Sequence, residues 1–197
     1  SSDLQQQPDQ AALTERYTEE AVAFIRANQQ NPFFLYFSHM YMHGPLFAPK
    51  VFIDKSENGV YGACVEEVDW SLGVLCHELE ALGLTDNTLI IFTNDNGGCP
   101  SGNNAPLRGF KNMTYEGGQR VNCIMKWPTR IPAGQVSGEL TTMMDLLPTF
   151  CDIAGVSLED GVKRDGHSLL PIVADDRPGA SEYDSFLYYK RGTLEAV

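Results

Sequence analysis

Two hydrophobic spacings alternate along the chain. From Leu13, the apolar positions Ala21, Val22 and Ile25 recur at helical spacing and predict a helix over residues 13–27, with Thr18 as its capped start. Asn31-Pro32 breaks it. Residues 33–37, Phe-Phe-Leu-Tyr-Phe, are a continuous apolar run too short for a helix and read as a strand buried on both faces. A loop rich in His, Met, Gly and Pro follows over residues 38–49.

The clearest helical period covers residues 60–82. Val60, Cys64, Val68, Leu72, Leu75, Leu79 and Leu82 recur along it, Glu66, Glu67, Asp69 and Glu78 fall between them, and Gly83 is a natural stop. Asp86-Asn87 turns the chain into a second apolar strand over 88–93. Strand, helix, strand in that order makes parallel pairing in an α/β sheet the expectation. A third strand is predicted over 121–127. A helix follows over 140–153, interrupted at Pro148 and ended by Gly155. Residues 161–197 are loop-rich, with an edge strand over 185–189, and no internal repeat is present.

Composition narrows the classes. Hydrophobic residues are 43% and charged residues 20% of 197, which suits a packed core and excludes disorder for most of the length. Lys+Arg is 14 against Asp+Glu 26, a net charge of −12. Such a chain repels phosphate backbones, so no nucleic-acid partner is expected. It has no apolar run near the roughly 20 residues of a membrane span. The five cysteines show no CxxC spacing, so neither a zinc knuckle nor a thioredoxin-like site is present. Cys64 lies on the apolar stripe of the long helix and is expected to be buried and unpaired. The chain starts Ser-Ser-Asp-Leu with no apolar signal region, and is expected to begin inside a longer protein.

In open α/β sheets, ligands bind beyond the carboxyl ends of the strands. That rule selects residues 38–45 and 94–98. The second segment reads Asn94-Asp95-Asn96-Gly97-Gly98. Asp95 and Asn96 offer hard oxygen donors suited to Ca²⁺ or Mg²⁺, though the same residues are also ordinary turn chemistry. The first segment holds His39 and His43. A third, residues 107–120, carries the cations Arg108, Lys111 and Arg120 in an acidic chain, and reads either as a solvated loop or as an oxyanion clamp.

Taken in order, these segments resemble the sulfatase family. The Pro-Phe-Phe-Leu-Tyr strand leads to His43-Gly44-Pro45. Tyr61-Gly62 opens a helix with Glu66-Glu67-Val68-Asp69-Trp70, and Asp86-Asn87-Thr88-Leu89 leads to Phe92-Thr93-Asn94-Asp95-Asn96-Gly97. Gly109-Phe110-Lys111 precedes Glu116-Gly117-Gly118-Gln119-Arg120 and then Trp127-Pro128. Met144-Asp145-Leu146 with Pro148-Thr149, and Asp165-Gly166 with Leu169 and Pro171, complete the pattern. The resemblance runs from Leu13 to the end, and the wording around residues 60–73 is most similar to the steroid-sulfatase group with arylsulfatases D, E and F.

The resemblance implies a mixed, largely parallel α/β sheet flanked by helices, of the alkaline-phosphatase-like kind. Residues 1–155 would form the C-terminal part of the catalytic domain and 156–197 the start of a C-terminal subdomain. It implies that Asp95 and Asn96 are metal ligands for one Ca²⁺. Lys111 would be the lysine that holds the sulfate, and His43 the histidine beside the ester that binds a sulfate oxygen or assists the leaving alcohol. Glu116 and Arg120 are expected to brace the loop as an internal ion pair. The substrate would be a sulfated small molecule or glycan, and the location the secretory pathway, lysosomal or extracellular. Family members act through a formylglycine made from the Cys or Ser of a C/S-x-P-x-R motif, and no Cys or Ser here begins that pattern. The nucleophile and the remaining ligands are therefore expected on an N-terminal half or partner chain, and this chain alone is expected to be inactive. A non-enzymatic sulfatase-like protein and a phosphate-ester hydrolase of the same superfamily stand beside the leading reading. The sequence upstream separates all three. The sequon Asn112-Met113-Thr114 adjoins Lys111 and is expected to stay unmodified if the site works.

Overall fold

The computed structural model describes residues 9–158, 161–174 and 179–197. The polar lead-in, residues 1–8, lies outside them. The chain divides into two compact units, Ser1–Asp86 and Asn87–Val197.

In the first unit, helix α1 spans Leu13–Asn28, a short helix α2 spans Lys50–Ile53, and the long helix α3 spans Gly59–Ala81. The two long helices lie within about a residue of the periodicity that predicts them. Thr18 is not the start of α1. A 3₁₀ turn over Gln10–Ala12, capped by Asp9, leads directly into Leu13. Thr18 instead sits buried in mid-helix, its hydroxyl donating to the Thr14 carbonyl at 2.7 Å and meeting Ser71 Oγ of α3 at 2.6 Å. The end of α3 follows the expected chemistry. Gly83 adopts φ +68°, Leu84 N donates to Leu79 O and Gly83 N to Glu80 O, which satisfies carbonyls the last turn would leave orphaned.

The buried face of α3 is not the purely apolar stripe. It includes Ala63, Cys64, Glu67, Val68, Ser71, Leu75 and Leu79, while Val60 is exposed. The small residues Ala63 and Ser71 let α1 and the loop before α2 approach closely, and Glu67 is carried inside with them. Leu13, Tyr41, Ala48, Ala63 and Cys64 form the core, with Met42, Leu46 and Phe52 packed against it. Cys64 is fully buried and unpaired, as its place on the stripe predicts.

Residues 33–37 differ from expectation. They join no ladder among the described residues. Phe33, Leu35 and Phe37 are half-buried while Phe34 and Tyr36 are 63% and 77% exposed, the period of a chain packed on one face only.

In the second unit, strand β1 over Ile90–Thr93 pairs with β2 over Cys123–Lys126. The pair is antiparallel, with Ile90 opposite Lys126 and Thr93 opposite Cys123, an antiparallel member of the mixed sheet expected. Its partner β2 is reached through the 94–122 loops. Between the two strands lies the short helix α4, Glu116–Gln119.

Helix α5 spans Leu146–Ala154 and is uninterrupted. Pro148 falls in its first turn, where an N–H has no intrahelical acceptor to lose. Thr142 and Asp145 cap its approach reciprocally: Met144 N donates to Thr142 Oγ1 at 3.2 Å and Thr142 N to Asp145 Oδ2 at 2.6 Å. Asp145, 1% exposed, also accepts from His167 N at 2.9 Å and from the Tyr183 hydroxyl at 2.5 Å. Burial and that carboxylate push the Tyr183 phenol up to about 12. Leu169 N donates to Thr149 Oγ1 at 2.8 Å, so the two motifs around 144–149 and 165–171 are bolted together.

Helix α6, Leu170–Val173, follows, and a hairpin of β3, Tyr188–Lys190, and β4, Thr193–Ala196, replaces the single edge strand expected over 185–189. Among the described residues, no helix is long and apolar enough to cross a membrane.

Candidate functional site

The first unit positions His43. Its loop is anchored on one side by Tyr41, 4% exposed, whose hydroxyl donates to the Gln10 carbonyl at 3.1 Å. On the other side Ala48 is buried and the Cys64 thiol donates to the Phe47 carbonyl at 3.3 Å. Between those anchors His43 is exposed, its Nδ1 2.8 Å from the Gly44 carbonyl. That bond sets Nδ1 as the donor, so a neutral ring presents Nε2 as its base. His39 is a packing residue by contrast. Its ring lies 4.3 Å from that of Phe37, its Nε2 is 3.4 Å from Ser71 Oγ, and burial lowers its pKa.

The second unit holds Asp95, Asn96 and Lys111. Asp95 and Asn96 follow directly on β1, where the strand ends and the glycines turn the chain. Asp95 is exposed, and the Asn96 amide donates to its Oδ1. Gly97 N donates to Gly118 O at 3.1 Å and Lys111 N to Gly98 O at 2.9 Å, which ties this loop to the one carrying the lysine. The approach leaves no room for side chains. A Cβ at Gly97 would meet the Gly118 carbonyl carbon at 2.6 Å, and one at Gly117 the Arg108 carbonyl at 2.8 Å.

The three cations of residues 107–120 separate in role. The Arg108 guanidinium lies 3.9 Å from the Tyr115 ring centroid, and Arg120 pairs with Glu116 at 3.6 Å, the brace the Glu-Gly-Gly-x-Arg spacing suggests. Among the described residues, Lys111 forms neither an ion pair nor a ring contact. Its ammonium remains available for an anion.

The donor set suits a hard cation in part. Asp95 and Asn96 offer two side-chain oxygen donors, against the 6–8 that Ca²⁺ takes. Among the described residues no group of three or more His, Cys, Asp or Glu side chains is placed to hold a metal ion. Sequence reasoning passed over Asn104. It is half-buried in the loop between the two motifs, and its Nδ2 lies 3.2 Å from Gly98 O, 2.9 Å from Gly109 O and 3.1 Å from Gly117 O. An Asn among glycines reads as turn chemistry, so no local signal marks it.

Comparison with known proteins adds a lineage to this geometry. The family model described as Sulfatase matches residues 2–156. Human steryl-sulfatase is 38% identical over 204 residues, which cover 98% of this chain and 35% of that protein. Dog N-acetylgalactosamine-6-sulfatase is 38% identical over 200 residues, covering 95% and 37%. The steroid-sulfatase group thus has the N-acetylgalactosamine-6-sulfatases beside it at the same identity. Among solved structures, PsFucS1 sulfatase from Pseudoalteromonas sp. superposes with a TM-score of 0.81 at 30% identity, over 86% of this chain and 36% of that one. Ps i-CgsB in complex with k-i-k-neocarrahexaose superposes with a TM-score of 0.76 at 35% identity, over 80% and 37%. The chain spans about a third of the length of the curated relatives it matches.

Proposed function

Because this chain belongs to the sulfatase family and carries part of the alkaline-phosphatase-like α/β fold of sulfatase structures, we propose that it supplies one wall of the active site of a calcium-dependent sulfuric ester hydrolase. The observation that carries the reading is the tie between the 94–98 and 109–118 loops. It joins two hard oxygen donors to a loop whose lysine side chain forms no ion pair or ring contact among the described residues.

Asp95 and Asn96 would hold the cation together with ligands from elsewhere in the full-length protein. When bound, calcium supplies positive charge beside the sulfuryl oxygens. The Lys111 ammonium binds a sulfate oxygen and balances the negative charge that builds as the S–O ester bond breaks. For His43 the family resemblance extends to binding a sulfate oxygen or assisting the leaving alcohol. The second role requires the doubly protonated ring, because a neutral ring with its proton on Nδ1 has none at Nε2 to give. The formylglycine nucleophile belongs to another segment of the full-length protein, consistent with the lack of a C/S-x-P-x-R motif here. The substrate is a sulfate ester of a small molecule or glycan, and the family resemblance extends the proposal to a lysosomal or extracellular location.

The test uses the full-length protein with 4-nitrophenyl sulfate and metal analysis. Asp95→Ala is expected to remove calcium and hydrolysis together. Lys111→Ala is expected to keep calcium and lower kcat about 10²- to 10³-fold, the size of one lost donor to a developing anion. Full calcium and full activity in Asp95→Ala would defeat the assignment.

A further inference from the structure

We infer that Asn104 is a positioning residue for the Lys111 ammonium, its side-chain amide setting the spacing between the Asp95–Asn96 donors and the lysine. The inference rests on the sulfatase reading above and adds to it a residue outside the metal- and sulfate-binding set.

The geometry is a convergence of three carbonyls on one amide. Gly98 O lies two residues past Asn96, Gly109 O two residues before Lys111, and Gly117 O in the first turn of α4, all within 3.2 Å of Asn104 Nδ2. Gly98 O also accepts from Lys111 N at 2.9 Å, so Asn104 and the lysine backbone share one acceptor. Gly98 is itself required by this seat, because a Cβ there would collide with Asn104 Oδ1. Gly109, at φ +86°, turns the chain beside the amide.

Three acceptors facing one group demand a donor with more than one hydrogen. A primary amide has two N–H bonds and no charge, and meets that demand without a desolvated ion. Its isostere aspartate has the same shape and the opposite chemistry. As a carboxylate it offers no donor to three carbonyl oxygens, and as a carboxylic acid it offers one. Facing those oxygens, the substituted acid would have its pKa raised. Asn104→Asp therefore converts the tie into one that weakens as pH rises.

The experiment compares wild type and Asn104→Asp of the full-length protein across pH with 4-nitrophenyl sulfate. The expected kcat ratio is within about 3-fold of wild type at pH 5, falling to about 10- to 100-fold below it at pH 8, the scale of a small misplacement at a reacting centre. In a Lys111→Ala background the same substitution should cost less than about 3-fold, because the lysine it positions is gone. A pH-independent ratio, or an undiminished loss in the Lys111→Ala background, overturns the inference.

Amide exchange without substrate keeps the two readings separable. Gly97 and Lys111 amides should exchange faster in Asn104→Ala while amides within α3 are unchanged, and unchanged exchange at Gly97 and Lys111 overturns the tie. Should Asn104→Ala fail to fold, Asn104→Asp measured at pH 5 and pH 8 carries the same exchange test. Wild-type protein that hydrolyses no sulfate ester sinks the sulfatase reading, and exchange then judges the tie alone.

Discussion

The seam between α1 and α3 and the clasp between the two site loops use opposite materials. The seam is made of side chains: Thr14, Thr18, Ser71 and Glu67 are each 2% exposed or less, set among Ala63, Cys64 and Val68. The clasp is made of main chain, with Gly97, Gly98, Gly117 and Gly118 bringing carbonyls and amides together where no Cβ fits. In the seam, stability is graded by what each side chain can satisfy. In the clasp, Asp95 is exposed and Asn96 and Lys111 are half-buried, while the glycines behind them sit where a Cβ would collide. Substitutions at the first three are therefore expected to spare the fold, and substitutions at the glycines are not. A site built this way separates loss of activity from loss of structure.

The most severe test of that separation is Gly118→Ala. Its Cβ would lie 2.5 Å from the Phe110 carbonyl and press on that of Met113, both backbone atoms that cannot swing aside. Denaturant unfolding should show a loss of roughly 3 kcal/mol, the upper range for overpacking. Lys111→Ala, a few residues away, should stay within about 0.5 kcal/mol of wild type. Equal losses in the two variants would erase the contrast.

Glu67 sharpens the other side. Neither of its carboxylate oxygens meets a donor at bonding geometry among the described residues. Burial first, and Glu15 second, raise its pKa from 4.5 to about 7, with the nearby Thr14 hydroxyl tempering the shift. Between those values the native chain keeps a proton that the unfolded chain has released, so stability falls as pH rises through the window. The full loss is on the order of 3 kcal/mol above pH 7. Glu67→Gln should therefore gain on wild type by about 2 to 3 kcal/mol between pH 5 and pH 8, read from unfolding midpoints. A constant difference would show that the carboxyl is not the titrating group.

The smallest effect is expected at Glu116. Its pair with Arg120 is exposed on both sides, 52% and 65%. Glu116→Gln should change stability by less than about 0.5 kcal/mol and lose even that in 1 M salt.

Helices were legible where period decides. The repeat from Cys64 to Leu79 and the stop at Gly83 needed only local spacing. Glu67 was not legible, since a charge in an amphipathic pattern reads as solvent-facing until a neighbouring helix with small residues closes over it. Strand direction depends on how a distant segment arrives, and nothing in the apolar run at 88–93 marks β2 as an antiparallel partner. Asp95, Asn96, Lys111 and His43 stand out as candidates in the sequence because their motifs are contiguous. Asn104 acts on three carbonyls from separate segments, and no single stretch of sequence carries that arrangement.

Residues 33–37 have one further consequence, in reaction order. Their apolar row leaves Tyr36 77% exposed, and an exposed aromatic in an apolar run is a surface on which a second copy can associate. Loss of material by that route is bimolecular. The 197 residues on their own should keep best when dilute, with the initial rate of association rising as the square of concentration. A lysine in place of Tyr36, 77% exposed, should slow that rate while leaving the helices of the first unit unchanged by circular dichroism.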